Sequence, residues 1–251
     1  MKNIRYLICL LLFVACTPKE AIKTSKTLPP SKVITPKSPI KKPKNIILMI
    51  GDGMGLTQIT AGMYINGNKL ALEEFPIVGL HKSHSSSSLI TDSAAGATAF
   101  ACGIKTYNGA IGVDPDTIAH QTILEEMEDK GFHTGLIATS TIVHATPASF
   151  IAHQKSRKMY EAIAADFLKT DIDLFIGGGK KYFDRREKDD RNLYRELEDK
   201  GYFVSDYFER DFDKVTIPMD QKFAYFTADS DPVPAAQGRE YLARASKISA
   251  E

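Results

Sequence analysis

Cysteine is scarce: the 251-residue chain has three, Cys9, Cys16 and Cys102. Cys9 lies inside a leading apolar run and Cys16 ends it. A mature domain beginning after that run therefore keeps Cys102 alone, which excludes an intramolecular disulfide. Long apolar runs are lacking too, since Tyr6 to Val14 is too short to span a membrane stably as mature structure. The body also lacks a basic surplus. Residues 17–44 hold eight lysines against one acid, Glu20, and Lys2 and Arg5 precede them; with a total of +1, residues 45–251 carry −8. A body this acidic excludes a nucleic-acid groove, which needs clustered Lys and Arg against phosphates.

What is present begins with an export signal. Lys2 and Arg5 form a basic n-region ahead of the apolar run, and Phe13-Val14-Ala15-Cys16 resembles the lipobox of bacterial lipoproteins. Residues 1–16 thus read as a lipoprotein signal peptide, with Cys16 the lipidated first residue after cleavage. An ordinary secretory signal cut near Ala15 is the alternative. Both take the protein out of the cytoplasm, and the first places it in the cell envelope, lipid-anchored on the periplasmic or extracellular side of a bacterial membrane. Residues 17–44 read as a disordered tether. Six of the chain's twelve prolines fall there among the lysines, with too few apolar residues to bury a core.

The body, 45–251, alternates strand and helix patterns, which makes the fold class α/β with covering helices. Ile46 to Ile50 is a continuous apolar run of the kind expected for a strand buried on both faces, and it enters the turn Gly51-Asp52-Gly53-Met54-Gly55. A helix is expected over Leu56–Asn66, a short second one through Leu72 and Phe75, and a strand over Ile77–Ser83. Tyr107 to Pro115 reads as turns and a short strand. Leu124 to Gly131 and Leu193 to Gly201 each read as an amphipathic helix closed by glycine. Further strands are expected at Thr134–Thr139, Leu174–Ile176 and Phe223–Thr227, with a turn at Gly177-Gly178-Gly179. Helices are expected at Met159–Leu168 and from Tyr241.

The candidate chemistry gathers around Thr91-Asp92-Ser93-Ala94-Ala95-Gly96-Ala97-Thr98-Ala99. Asp92 or Thr91 can cap a helix whose first residue is Ser93, and the hydroxyl then lies beside free backbone N–H groups suited to phosphate. Asp52 follows the apolar run as a metal ligand or a helix cap. His144-Ala145-Thr146-Pro147 follows another strand, offering an imidazole and an oxygen ligand on what reads as a loop. Arg157 carries a guanidinium able to hold two phosphate oxygens, although by itself it reads equally as a surface charge. His153, Lys155 and Lys158 read as solvated neighbours, and Cys102 as a small buried filler.

Taken together, these stretches resemble the alkaline phosphatase family. Ile50 to Gly55 is similar to its metal-binding strand end, Thr91 to Ala99 to its nucleophile motif, and Cys102-Gly103, Lys105 and Gly112-Val113 continue the likeness. His144 to Pro147 is similar to its second metal stretch, with His where some bacterial members carry Asp, and Arg157-Lys158-Met159-Tyr160 to its phosphate-binding segment. The resemblance implies a three-layer sandwich with a largely parallel central sheet. It also implies hydrolysis of phosphate monoesters by Zn²⁺ and Mg²⁺ through a phosphoserine at Ser93. Arg157 would hold the phosphate and Asp92 would orient Arg157. Asp52, Ser93, His144 and Thr146 would take part in metal binding.

The family's further zinc ligands lie in its C-terminal half, and this chain has no histidine after His153. The expectation is therefore an N-terminal half with its C-terminal part missing, inactive alone unless a homodimer or a second chain supplies the rest. A non-catalytic phosphate-binding or membrane-anchored interaction domain is the alternative. A sulfatase-like enzyme is disfavoured by Ser93 followed by Ala94-Ala95.

Overall fold

The computed structural model describes residues 43–250. The signal segment with Cys16, and the tether up to residue 42, lie outside the described residues. Within these, residues from Ile47 onward form one compact unit.

In chain order its helices are α1 (Leu56–Ile65), α2 (Ser93–Cys102), α3 (Ile123–Asp129), α4 (Ala145–Ala148), α5 (Tyr160–Asp166), α6 (Lys181–Asp184), α7 (Leu193–Asp199) and α8 (Tyr241–Ala250). The strands are β1 (Gly135–Thr141), β2 (Leu174–Gly178), β3 (Tyr202–Asp206) and β4 (Lys222–Phe226). All pairings are parallel, in the order β1-β2-β4-β3. Parallel strands joined by helices are buried on both faces, and these alternate accordingly. Phe175, Ala224 and Phe226 face a core built with α2 to α7, while Ile176, Phe223 and Tyr225 face Phe212, Val215 and Ala245 of α8. The sheet is thus the middle of three layers.

Aromatic packing holds the larger core together. Phe175 meets Phe167 edge-on at 4.9 Å, Phe183 at 6.2 Å and Phe226 at 6.0 Å, and all four rings are fully buried. Such ring pairs add about 0.5–1.5 kcal/mol beyond the area they bury. At the helix starts, Thr122 and Glu125 form a reciprocal capping box on α3 and Asn192 caps α7 through the Arg195 N–H. Gly131 and Gly201, just past the ends of α3 and α7, take φ of +76° and +93°, the conformation that favours glycine at a helix exit.

Several expectations are corrected. The run Ile46–Ile50 and the stretch Ile77–Ser83 are not strands among the described residues. Ile47 is 69% exposed and Leu80 fully exposed. An apolar run signals burial but cannot name what buries it, and the four strands pair with one another, leaving these two stretches without a ladder. Tyr107–Pro115 makes isolated bridges, Ile111 to Gln154 and Val113 to Ala119, instead of a strand. β2 continues through Gly178, so only Gly179 of the three glycines turns. The expected loop His144–Pro147 contains α4, and α6 and β3 went unpredicted.

Replacing Phe175 with Ala should therefore cost about 3–5 kcal/mol in urea unfolding, the usual loss for a buried phenylalanine. Ile47→Ser, at an exposed and unpaired position, should stay within about 0.5 kcal/mol.

Candidate active site

Ser93 opens α2 because Asp92 ends the extended chain before it. Asp92 has φ −95° and ψ 172°, and its Oδ1 accepts the Ala95 N–H at 2.9 Å. Of the two candidate caps, Asp92 performs the role. Ala94, Ala95, Ala97 and Ala101 bury the inner face of α2, and their small side chains let it pack against α4.

Arg157 lies between α4 and α5, its backbone N–H donating to the Gly109 carbonyl at 2.7 Å. Its Nη1 donates to Asp92 Oδ2 at 3.1 Å and to Ser93 Oγ at 2.9 Å, and its Nη2 to His144 Nε2 at 3.2 Å. A guanidinium has no acceptor, so in this contact His144 Nε2 is the accepting atom. The Arg157 and Asp92 side chains are only 25% and 26% exposed. Their ion pair is thereby less screened than one at the surface.

A second contact lies beside this group. Thr146 Oγ1, in α4, donates to Asp52 Oδ2 at 3.0 Å, and Asp52 is exposed in its glycine turn. His144 is the N-cap of α4, which follows β1 directly. The candidate residues therefore gather past the carboxyl end of a sheet strand, where open α/β sheets bind ligands. Six residues expected from sequence, Asp52, Asp92, Ser93, His144, Thr146 and Arg157, are brought into these two contact groups.

Two neighbours of the site escape the sequence pattern, Asn108 because nothing singles it out as a site residue and His153 because it reads as solvated. Asn108 Oδ1 accepts the Asp92 N–H at 3.2 Å while its Nδ2 donates to the Ile90 carbonyl at 2.9 Å, tying the segment before Ser93 to the 107–112 strap. The Asn-Gly pair at 108–109 signals a turn but not its partner. His153 is not solvated: its Nδ1 lies 2.8 Å from the Gly112 carbonyl and its Nε2 2.9 Å from Glu125 Oε1. Lys155 and Lys158 are exposed, as expected. Cys102 is half-buried, with its Sγ 3.4 Å from the His120 carbonyl; burial, helped by the nearby Glu125 charge, pushes its thiol up to about 11.

Among the described residues no group of three or more His, Cys, Asp and Glu side chains is arranged to hold a metal. Catalytic zinc takes about three protein ligands. His144 Nε2 is already engaged by Arg157, so a two-zinc centre does not fit these residues alone. Asp52 and Thr146 offer one carboxylate and one hydroxyl oxygen, the hard oxygen donors that magnesium takes alongside several waters.

The chain matches the family described as "Alkaline phosphatase" over residues 43–209. It is 44% identical to "Alkaline phosphatase 3" of Bacillus subtilis (strain 168) over 65% of this chain and 38% of that protein. It is 36% identical to the alkaline phosphatase of Escherichia coli (strain K12) over 66% of this chain and 42% of that one. The alkaline phosphatase from the Antarctic bacterium TAB5 superimposes with a TM-score of 0.77 at 40% identity, covering 83% of this chain and 60% of its own. A histidine-to-glutamate mutant of the TAB5 enzyme, with Mg bound in its M3 site, superimposes with a TM-score of 0.70. The chain spans well under half the length of these two curated relatives.

With its thiol near 11, Cys102 at pH 8 should be ionised to about one part in a thousand. Iodoacetamide should label it far more slowly than a small free thiol, followed by mass spectrometry of its peptide, with labelling speeding up as pH rises toward 11.

Proposed function

The chain belongs to the alkaline phosphatase family, whose named members are phosphoric monoester hydrolases, and from that footing we propose that its site holds a phosphate monoester, with Arg157 as the phosphate grip and Ser93 as the phosphoryl acceptor. One observation carries the reading: a single guanidinium reaches Ser93 Oγ, Asp92 and His144 together. A guanidinium has five N–H donors in a plane, a match for two phosphate oxygens. As phosphate enters, Arg157 exchanges its bonds to Ser93 and His144 for two non-bridging oxygens while Asp92 keeps the fork aimed. The same move frees Ser93 Oγ beside the phosphorus. Fixed positive charge at that point favours the oxygens that gain charge in the transition state. In-line attack forms the Oγ–P bond and breaks the bond to the leaving oxygen, the hydroxyl proton passing by way of water to that oxygen so that an alcohol departs; water then hydrolyses the phosphoserine to Ser93 and inorganic phosphate.

The resemblance implies that zinc activates this serine, and the described residues do not make that zinc centre. Hydrolysis then requires ligands from beyond them, supplied by further sequence, a second copy or another chain. Asp52 and Thr146 are two oxygen ligands toward a magnesium ion, whose charge would support the acidic side of the site. At the envelope, Cys16 is the lipid attachment point and residues 17–44 the spacer that holds the domain off the membrane. The tether's lysines suit an anionic lipid surface.

The test is binding of inorganic phosphate to this chain by calorimetry, with p-nitrophenyl phosphate turnover in parallel. Arg157→Ala should weaken phosphate binding roughly 10- to 150-fold, the value of hydrogen bonds from a charged donor. Ser93→Ala should leave it nearly intact. Unchanged affinity in Arg157→Ala would sink the grip. Zinc-dependent release of p-nitrophenol by these 251 residues alone would overturn the need for outside ligands.

A further inference from the structure

We propose that His153, held with a proton on each ring nitrogen between Glu125 and the Gly112 carbonyl, is a positioning residue that fixes Arg157 against Ser93. Both of its neighbours accept and neither donates. The Gly112 carbonyl stands 2.8 Å from Nδ1 and Glu125 Oε1 2.9 Å from Nε2. Glu125 is held as a carboxylate: its second oxygen takes the Thr122 N–H at 2.8 Å in the α3 capping box, and despite burial the bond to His153 together with this one keeps its carboxyl below the ordinary range. An imidazole satisfies two acceptors at once only as imidazolium.

The ring lies at the root of the segment that carries Arg157. Between them, Gln154 exchanges both backbone hydrogen bonds with Ile111, at 2.9 and 3.0 Å, and the Arg157 N–H reaches Gly109 at 2.7 Å. Tyr107 adds a hydroxyl bond to the Lys155 carbonyl at 2.8 Å. The strap 107–112 thus runs alongside 152–157 and, through Asn108, also holds the Asp92 N–H. His153 closes the strap's far end. The approach there admits no side chain: a Cβ on Gly112, which has φ +60°, would lie 2.2 Å from the Ala152 carbonyl oxygen and 2.8 Å from His153 Nδ1. Deprotonating the ring removes one of its two donors, and the strap or α3 must let go.

The surrounding charges agree with this direction. Hydrogen bonding to Glu125 raises His153 above the ordinary imidazole range, although burial opposes it, and the Glu125 and Asp166 charges add to the effect. Burial alone would raise Glu125, but hydrogen bonds from His153 and Thr122 outweigh it and hold the carboxyl below its ordinary value. From α5, Asp166 Oδ2 accepts the backbone N–H of His153 at 3.1 Å while its Oδ1 pairs with Lys169 at 2.7 Å. On the strap side, His120 pairs with Asp114 at 3.0 Å. An open cavity of about 690 Å³ beside the ring adds Glu128, Asp129, Asp171 and Lys200 at its walls. A raised imidazole stabilises the folded site fully below its unfolded midpoint, and that contribution is lost as pH rises through the folded midpoint. The arginine clamp therefore loosens on the alkaline side.

The role rests on Arg157 being the phosphate grip, but its test needs no phosphate, so failure of either idea is recognised separately. On the full chain, ring ¹⁵N shifts of His153 and exchange protection of the Arg157 and Gln154 amides are followed across pH 5–10. Both ring nitrogens should be protonated at pH 6. The Arg157 and Gln154 protection, corrected for intrinsic exchange, should fall at the ring's own midpoint, about tenfold for each unit by which the closed site raises it. Glu125→Gln should move both midpoints down together by about one unit. A singly protonated ring at pH 6, or Arg157 protection that ignores the ring's titration, would overturn the proposal. The wild-type titration decides by itself if Glu125→Gln does not fold.

Discussion

The site depends on one constraint: the guanidinium of Arg157 must meet acceptors from two separate parts of the chain at once. Asp92 and Ser93 come from the start of α2, His144 from the start of α4, and Arg157 itself from the loop before α5. Each contact is directional, so a shift of about an ångström in any of the three elements would cost geometry at the other two. The small residues of α2 and the fully buried Ala145 and Ala148 of α4 answer that demand, because short side chains leave two helices little room to slide.

Around this fork the backbone does as much as the side chains. The strap 107–112 touches both halves of the site, Asp92 through Asn108 and Arg157 through Gly109. It is itself pinned to α2 by Thr98, whose hydroxyl donates to the Ala110 carbonyl and accepts the Gly112 N–H, both at 3.1 Å. A buried hydroxyl used in both directions is costly to leave unpaired. The strap is therefore a third support for the site, although it contains none of the six candidate residues.

Much of this was legible in the residues. Asp92 and Ser93 announced a capped helix and the glycines at 131 and 201 announced helix ends, while Arg157, a surface charge when read alone, was picked out by the family resemblance of its segment. The sheet strands with Phe, Ile and Leu at alternate or continuous positions were found because local pattern and burial agree there. The same pattern misled at Ile46–Ile50 and Ile77–Ser83, where apolar content is as high but no ladder partner exists among the described residues. β3 was hidden because Tyr202 to Asp206 mixes polar and apolar residues, and α4 because a proline and a threonine disguise a single helical turn. His153 was misread for a different reason. Its partners, Gly112 and Glu125, are 41 and 28 residues away, and no local rule reports a contact made at that range.

The strand order has a consequence for how the molecule comes into being. β4 lies between β2 and β3, although it is the last of the four to be made. A chain emerging from the ribosome as far as Asp206 has β1 and β2 able to pair, but β3 has no neighbour and one edge of β2 is bare. The buried rings Phe175, Tyr202 and Phe226 meet only after residues 222–226 insert. Non-local parallel pairing of this kind is slow and leaves apolar edges open while it waits. Biosynthesis, more than equilibrium stability, is then the stage at which this sheet is most exposed to mispairing with another nascent copy.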